Sequence, residues 1–227
     1  MDIQQFQSES VKKQLQLIPE LAISGDSGLD LLMEFLRSQQ LFPLNLAVGK
    51  AYQVLVQAKT PKTQEFLQTH FPDGIIPLKS ERNIDYKPLQ KLLVEQDFQG
   101  ADSLTRLKLC ELAGEVAIQR KWLYFTEVDR FPATDLNTIN SLWWLNSEGK
   151  FGFSVQRQLW LSLEKDFTKL WLKIGWKKDN HWTQYPHEFT WDLSAPPGHL
   201  PLLNQLRGVQ VIKSLFSHPV WSETSKL

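Results

Sequence analysis

Few residues in this 227-residue chain stand where they could do chemistry. Gly25-Asp26-Ser27-Gly28 has the letters of a serine-protease nucleophile loop, but no histidine precedes it and it separates two helical stretches, so it reads as an inter-helix turn. The five histidines are His70, His181, His187, His199 and His218. None makes a two-histidine helical pair, and no carboxylate or cysteine stands at metal-ligand spacing. His181 and His187 read as surface histidines. Glu127 and Asp129 are too close in sequence to face each other on a helix and read as a solvated face. There is no glycine-rich phosphate loop. No catalytic residue and no protein metal site is assigned. What remains is a binding pair. Asn204 and Arg207 are three apart on an expected final helix and project from one side of it. An arginine there can clamp a carboxylate with two parallel hydrogen bonds, and the asparagine amide offers a donor and an acceptor. The competing reading pairs Arg207 with a loop carboxylate such as Asp192.

The elements that must carry this pair are helical. Val11, Leu15, Ile18 and Leu21 recur at helical spacing, then Leu29, Leu32 and Phe35, then the stretches Leu44 to Val56 and Lys62 to Phe71. Short helices with short links make a helical bundle or a repeat array. Phe71-Pro72-Asp73-Gly74 is a turn signal, and a boundary falls between Gly74 and Asp85. The organisation expected is a helical bundle over residues 1–76, a linker over 77–85 and a larger helical core over 86–227. In that core Pro88 sits near a helix start, Ser103 to Leu112 is helical up to Gly114, and Asp135 is read as the N-cap for Leu136, Ile139 and Trp143. Ser154 is read as the cap for Leu159 and Leu163. Phe167, Leu170, Trp171 and Ile174 follow helical spacing strictly, with Gly175 to end the helix. A last helix is expected from Leu202 to Phe216, closed by Pro219. Between Gly175 and Pro201 the helical period disappears. This stretch holds Trp176, Trp182, Tyr185, Phe189 and Trp191 among prolines, and it reads as a mobile aromatic flap over an apolar pocket.

Composition narrows the class further. All nine tryptophans lie between Trp122 and Trp221, so the two halves have different jobs. Twenty-five basic residues balance 25 acidic ones, which denies the chain the broad positive field that nucleic-acid binding uses. The single cysteine, Cys110, excludes a disulfide framework and reads as a small buried side chain. No run of about 18 apolar residues exists to span a membrane, and the polar, acidic start is neither a secretory signal nor a transit peptide. The reading is a soluble cytoplasmic protein, with room for peripheral membrane association.

The stretch Phe189–Val209, with its Ala195-Pro-Pro-Gly-His-Leu-Pro201 turn, closely resembles the genomes-uncoupled (number four) family of porphyrin-binding proteins. So do Lys108–Gly114, Trp122–Val128, Phe131-Pro132, Ile139–Leu145 and Phe151–Arg157. The resemblance spans about Asp85 to Trp221. It implies an all-α protein: an N-terminal helical bundle packed beside a helical core that cups protoporphyrin IX and magnesium-protoporphyrin IX. It implies no required cofactor and no enzymatic activity, but stimulation of magnesium chelatase in chlorophyll biosynthesis through the chelatase's large porphyrin-binding subunit. The chain carries neither a transit peptide nor the longer C-terminal tail of plant members, and so resembles the cyanobacterial type. Carried over, the greasy pocket falls on Phe125, Val128, Phe131 and Phe153, the loop aromatics on Tyr185, Phe189 and Trp191, and the polar end on Asn204 and Arg207. Arg207 is expected on a propionate. Asn204 lies against the centre of the macrocycle, where its oxygen is a candidate ligand for porphyrin-bound magnesium. Two positions depart from the family pattern: Tyr185 stands where tryptophan is usual, and Gln210 replaces a second arginine.

The residues fit such a ligand. A porphyrin is a flat apolar disc with two propionates at one edge, and it needs an aromatic floor and a cationic rim. Burying about 300 Å² of macrocycle at roughly 25 cal/mol/Å² gains about 7–8 kcal/mol. One charge-assisted hydrogen bond adds ~1.5–3 kcal/mol, and association costs at least ~4 kcal/mol. That balance suits releasable binding. A helical protein-interaction scaffold with no porphyrin ligand is the alternative, and a carbohydrate binder stacking sugars on Trp182 and Trp191 is a weaker third.

Overall fold

The computed structural model describes residues 1–39, 44–203 and 208–223. It is helical almost throughout, and it divides into two compact units, Met1–Pro77 and Leu78–Leu227.

The first unit contains α1 (Ile3–Ser8), α2 (Val11–Ile23), α3 (Asp26–Ser38), α4 (Leu46–Ala58) and α5 (Pro61–His70). Small polar side chains start most of these helices. Asp2, Ser10, Asn45 and Thr60 each accept a hydrogen bond from a backbone N–H of the first turn, which would otherwise go unpaired. Pro61 follows Thr60 at a position where a missing N–H costs nothing. The apolar stripes meet in a core of Phe6, Ile18, Leu32, Phe35, Leu36, Ala51 and Leu55, in which Phe6 and Phe35 stand edge to face at 5.0 Å. Of the motif Gly25–Gly28 only Gly25 is a turn residue, at φ +80°; Asp26, Ser27 and Gly28 already belong to α3. Gly28 is where α2 and α3 touch, since a Cβ on it would lie 1.9 Å from the Leu21 carbonyl oxygen. Backbone cannot yield as a side chain end does. Gly28→Ala is therefore expected to destabilise this unit by at least the ~1–3 kcal/mol typical of overpacking, read as a lowered thermal midpoint.

The second unit contains α6 (Lys87–Val94), α7 (Phe98–Ala113), α8 (Glu115–Arg120), α9 (Phe125–Val128), α10 (Ala133–Asn146), α11 (Phe153–Ser162), α12 (Phe167–Lys173), β1 (Lys177–Lys178), β2 (His181–Trp182), α13 (Gln210–Ser217) and α14 (Val220–Glu223). Its centre is Trp143 of α10. The indole packs against Phe98 and Phe151 and donates to the Thr105 hydroxyl at 2.9 Å. A second aromatic layer runs Trp160, Phe167, Trp171, Trp176 in face-to-face steps of 5.3, 5.3 and 5.2 Å.

Several expectations are corrected here. Asp135 is not a cap: α10 starts at Ala133, and Asp135 is fully buried in its first turn. Its carboxylate accepts hydrogen bonds from the Ser80 hydroxyl at 2.5 Å, the Glu81 N–H at 3.0 Å and the Tyr86 hydroxyl at 2.9 Å. Its task is to tie residues 80–86 down to α10. Ser154 lies inside α11, whose N-cap is Gly152. Described residues Leu202, Leu203, Gly208 and Val209 are not helical, so the last long helix begins at Gln210, and a further turn, α14, follows Pro219.

The stretch between Gly175 and Pro201 is more ordered than its lost periodicity suggested. β1 and β2 pair antiparallel as a small hairpin, Lys177 opposite Trp182. The proline-rich end is stitched to the core. Gln156 of α11 donates to the carbonyls of Gly198 at 3.0 Å and Pro201 at 2.8 Å, the Gly152 N–H donates to Leu200 at 3.0 Å, and the Gly198 N–H donates to Lys150 at 2.7 Å. The tip, including His181, Trp182, Tyr185 and His187, is exposed. A free flap over the whole stretch is not what the structure contains.

Candidate binding slot of the second unit

The side chains proposed from sequence fall into two groups. Tyr185, Phe189 and Trp191 form one aromatic cluster, with ring centroids 5.8 to 6.2 Å apart. Phe189 is buried against His199 at 5.1 Å, while Tyr185 is 42% exposed. The Trp191 indole donates to the Pro186 carbonyl at 3.0 Å. Phe125, Val128 and Phe131 lie on and just after α9, which packs on α13. Phe125 is 45% exposed, whereas Val128 and Phe131 are buried. The Ser214 hydroxyl of α13 ties down this corner by donating to the Phe125 carbonyl at 3.2 Å and to Asp129. Phe153, at the start of α11, has no exposed surface. Asn204 and Arg207 lie outside the described residues.

Glu127 is not a solvated residue. Its carboxylate takes the Arg120 guanidinium at 2.7 Å and the Tyr124 N–H at 2.7 Å. Arg120 is stacked on both Trp122 and Tyr124, 4.4 Å above each ring, and donates to the Trp122 carbonyl. This cluster fixes the course of residues 120–127.

The second unit also holds a slot of about 90 Å³ lined by Arg106, Leu109 and Cys110 of α7, by Lys121, Trp122 and Leu123, and by Leu203 and Val211. Leu203 and Val211 bracket the undescribed residues 204–207 in sequence. Among the described residues the lining is apolar apart from Arg106 and Lys121 and contains no carboxylate. Elsewhere in the second unit Leu107, Val116, Ile118, Tyr124, Phe125 and Tyr185 are among the large apolar side chains left exposed. Two larger grooves lie on the first unit. One is lined by mixed charges, and the other borders the undescribed residues 40–43.

Sequence reading did not single out Arg106. Its spacing from Leu109 and Cys110 puts all three on one face of α7, but only the fold shows that this face opens on a slot. Arg106 reaches Asp102 at 3.3 Å. Asp102 is fully buried and accepts the Leu202 N–H at 2.7 Å. Burial pushes its carboxyl up to about 6, against the opposing pull of Arg106 and the Leu202 N–H. Burial likewise raises the Cys110 thiol, which fits its expected role as a small apolar side chain. Among the described residues no group of His, Cys, Asp and Glu could hold a metal, and no helix is long and apolar enough to cross a membrane.

His199 governs the closure of the aromatic segment. It is buried, its Nδ1 lies 2.6 Å from the Ile174 carbonyl and its Nε2 lies 3.3 Å from the Thr190 nitrogen. Those partners require a neutral ring with the proton on Nδ1. Burial holds its pKa below the ordinary histidine value, with the Ile174 bond opposing and Lys178 adding to the depression. The unfolded chain therefore binds more protons as pH falls through about 6.5, and stability falls with it. The protection factor of the Thr190 amide, its exchange rate relative to the intrinsic rate at each pH, should fall on acidification through that range, and His199→Gln, which cannot titrate, should flatten the dependence. An unchanged slope in His199→Gln would assign it to another group, such as His218.

The fold and slot define a class: two helical units, the second holding an apolar slot with a cationic lining. Residues 79–219 match the GUN4-like family, and residues 3–72 match the ARM-like repeat domain of the GUN4 N-terminus. The chain belongs to the GUN4 family. It is similar to a Ycf53-like protein of Synechocystis sp., 59% identical over 225 residues that cover 97% of this chain and 95% of that protein. It is also similar to the chloroplastic tetrapyrrole-binding protein of Arabidopsis thaliana, 43% identical over 59% of this chain and 54% of that protein. The solved structure of GUN4 from Chlamydomonas reinhardtii superposes with a TM-score of 0.61 at 38% identity, covering 64% of this chain and 95% of that one. The helical fold and the family read from sequence are thus borne out.

Proposed function

We propose that this protein binds protoporphyrin IX and magnesium-protoporphyrin IX in the second unit. In this reading it stimulates magnesium chelatase without being an enzyme, working as a monomer through the chelatase's large porphyrin-binding subunit. The observation that carries the reading is the slot in the GUN4-like domain, whose described lining is apolar apart from Arg106 and Lys121 and includes no carboxylate. The Arabidopsis relative is a tetrapyrrole-binding protein by name, which supports the ligand class. A slot of about 90 Å³ seats one edge of a macrocycle rather than enclosing it. The remainder would lie under Tyr185, Phe189 and Trp191 and over the corner carrying Phe125, Val128 and Phe131, with Phe153 supporting the floor from within the core. Asn204 and Arg207 would take the polar edge. The first unit would face partners or stabilise the chain.

Adding protoporphyrin IX should shift its visible bands and quench tryptophan emission; adding the protein to a chelatase assay should raise the rate of magnesium insertion. A protein-interaction scaffold or a sugar binder leaves the porphyrin spectrum unchanged. Arg207→Ala should weaken binding of the free acid roughly 10- to 100-fold through loss of a charge-assisted contact worth ~1.5–3 kcal/mol. Arg207→Lys should recover part of this, since an ammonium lacks the planar fork. Porphyrin dimethyl ester should bind the wild type and Arg207→Ala about equally. If the ester discriminates as strongly as the acid, Arg207 acts through the fold.

A further inference from the structure

Arg106 is set up as a receptor for an anion. It lines the slot, and its Nε is buried with no hydrogen-bond partner. Its Nη2 donates to the Tyr185 hydroxyl at 2.7 Å and to the Ser103 hydroxyl at 3.3 Å, and its guanidinium lies 4.6 Å from the Tyr185 ring centroid. A neutral phenol is a weak partner for a guanidinium beside a carboxylate, which accepts two parallel charge-assisted bonds. Tyr185 is 42% exposed at the tip of the aromatic segment, so it has solvent to move into once its contacts with Arg106, Phe189 and Trp191 are given up. Asp102 cannot move away: it is fully buried, fixed by the Leu202 N–H, and holds Arg106 one helical turn away.

Resting on the porphyrin reading above, we propose that Arg106 receives the second carboxylate of the ligand from the α7 wall. In the free protein the Tyr185 hydroxyl occupies it and must be displaced. Lys121, the other cation on the lining, adds to the attraction for a dianion. The hydroxyl is thus a built-in competitor. A tryptophan at position 185 would have no hydroxyl to offer, so this competition belongs to a chain carrying tyrosine there.

The test titrates the full chain with protoporphyrin IX and with its dimethyl ester. Arg106→Gln should weaken the free acid about 10- to 100-fold and leave the ester within about twofold of wild type. Tyr185→Phe keeps the ring and removes the competitor. It should tighten the free acid about 2- to 10-fold, the worth of one ordinary hydrogen bond, and leave the ester unchanged. Equal losses for acid and ester in Arg106→Gln would mean that the arginine only supports the fold, and no change in either would mean that it never meets the ligand; both overturn the proposal. If Arg106→Gln fails to fold by circular dichroism, Tyr185→Phe decides alone. Selective tightening of the acid supports the proposal, while equal or absent effects overturn it. A wild type that shifts the bands of neither porphyrin overturns the porphyrin reading itself, a different result from selective failure of one variant.

Discussion

Phe153→Ala should cost about 3–5 kcal/mol of stability, the range for deleting a buried phenylalanine ring. The ring has no exposed surface and sits at the first position of α11, immediately after Gly152, whose N–H holds Leu200. Chemical denaturation measures that loss, and a porphyrin titration of the folded fraction measures what Phe153 does for a ligand. Severe destabilisation with unchanged affinity would assign the ring to the core alone. Phe125→Ala is the counterpart. At 45% exposure its ring is not needed for the fold, so loss of affinity with near-normal stability is expected if Phe125 is part of the floor.

Trp176→Ala should be of similar size, about 3–5 kcal/mol. The indole is 2% exposed, stacks on Trp171 with planes only 6° apart, and donates to the His199 carbonyl at 2.7 Å. Its removal takes away an aromatic face and a buried hydrogen bond together. Hydrogen exchange should rise across residues 175–191, while the Gly198 and His199 amides, which donate to the Lys150 and Pro196 carbonyls in a segment pinned by Gln156 and Gly152, should stay protected. Uniform loss of protection through Pro201 would show instead that Trp176 carries the whole segment. Trp176→Phe should recover part of the stacking and none of the hydrogen bond.

These residues also show what could be read from the chain. Phe167, Leu170, Trp171 and Ile174 announce a helix because each is separated from the next by one turn, and α12 is there. Asp135 and Ser154 misled because both residue types favour caps. Asp135 was drawn instead into a buried cluster by Ser80 and Tyr86, about 50 residues away and invisible to any local window. The segment from Gly175 to Pro201 lost helical period and so looked unsupported. Its support is side chain to backbone, from Gln156, Trp176 and His199, and such bonds leave no repeating pattern. Among the candidate site residues, Phe125 and the aromatic cluster are proposed from the motifs that resemble the family. Arg106 could not be, because one arginine on an amphipathic helix looks like any other until the slot beside it is seen.

The aromatic layer has an optical consequence. Trp160, Trp171, Trp176 and Trp182 are linked by ring-to-ring steps of about 5 to 6 Å, with Phe167 bridging the first two. Indoles that close exchange excitation, and the near-parallel pair Trp171 and Trp176 should behave as a coupled chromophore with its own signature in near-ultraviolet circular dichroism. Light absorbed by one member is emitted or lost by another. An acceptor beside any single indole would then dim several at once, so the depth of quenching counts the members of the network rather than the distance to one of them. Replacing Trp171 with phenylalanine would cut the relay in the middle, and the emission that survives would report which end an acceptor occupies.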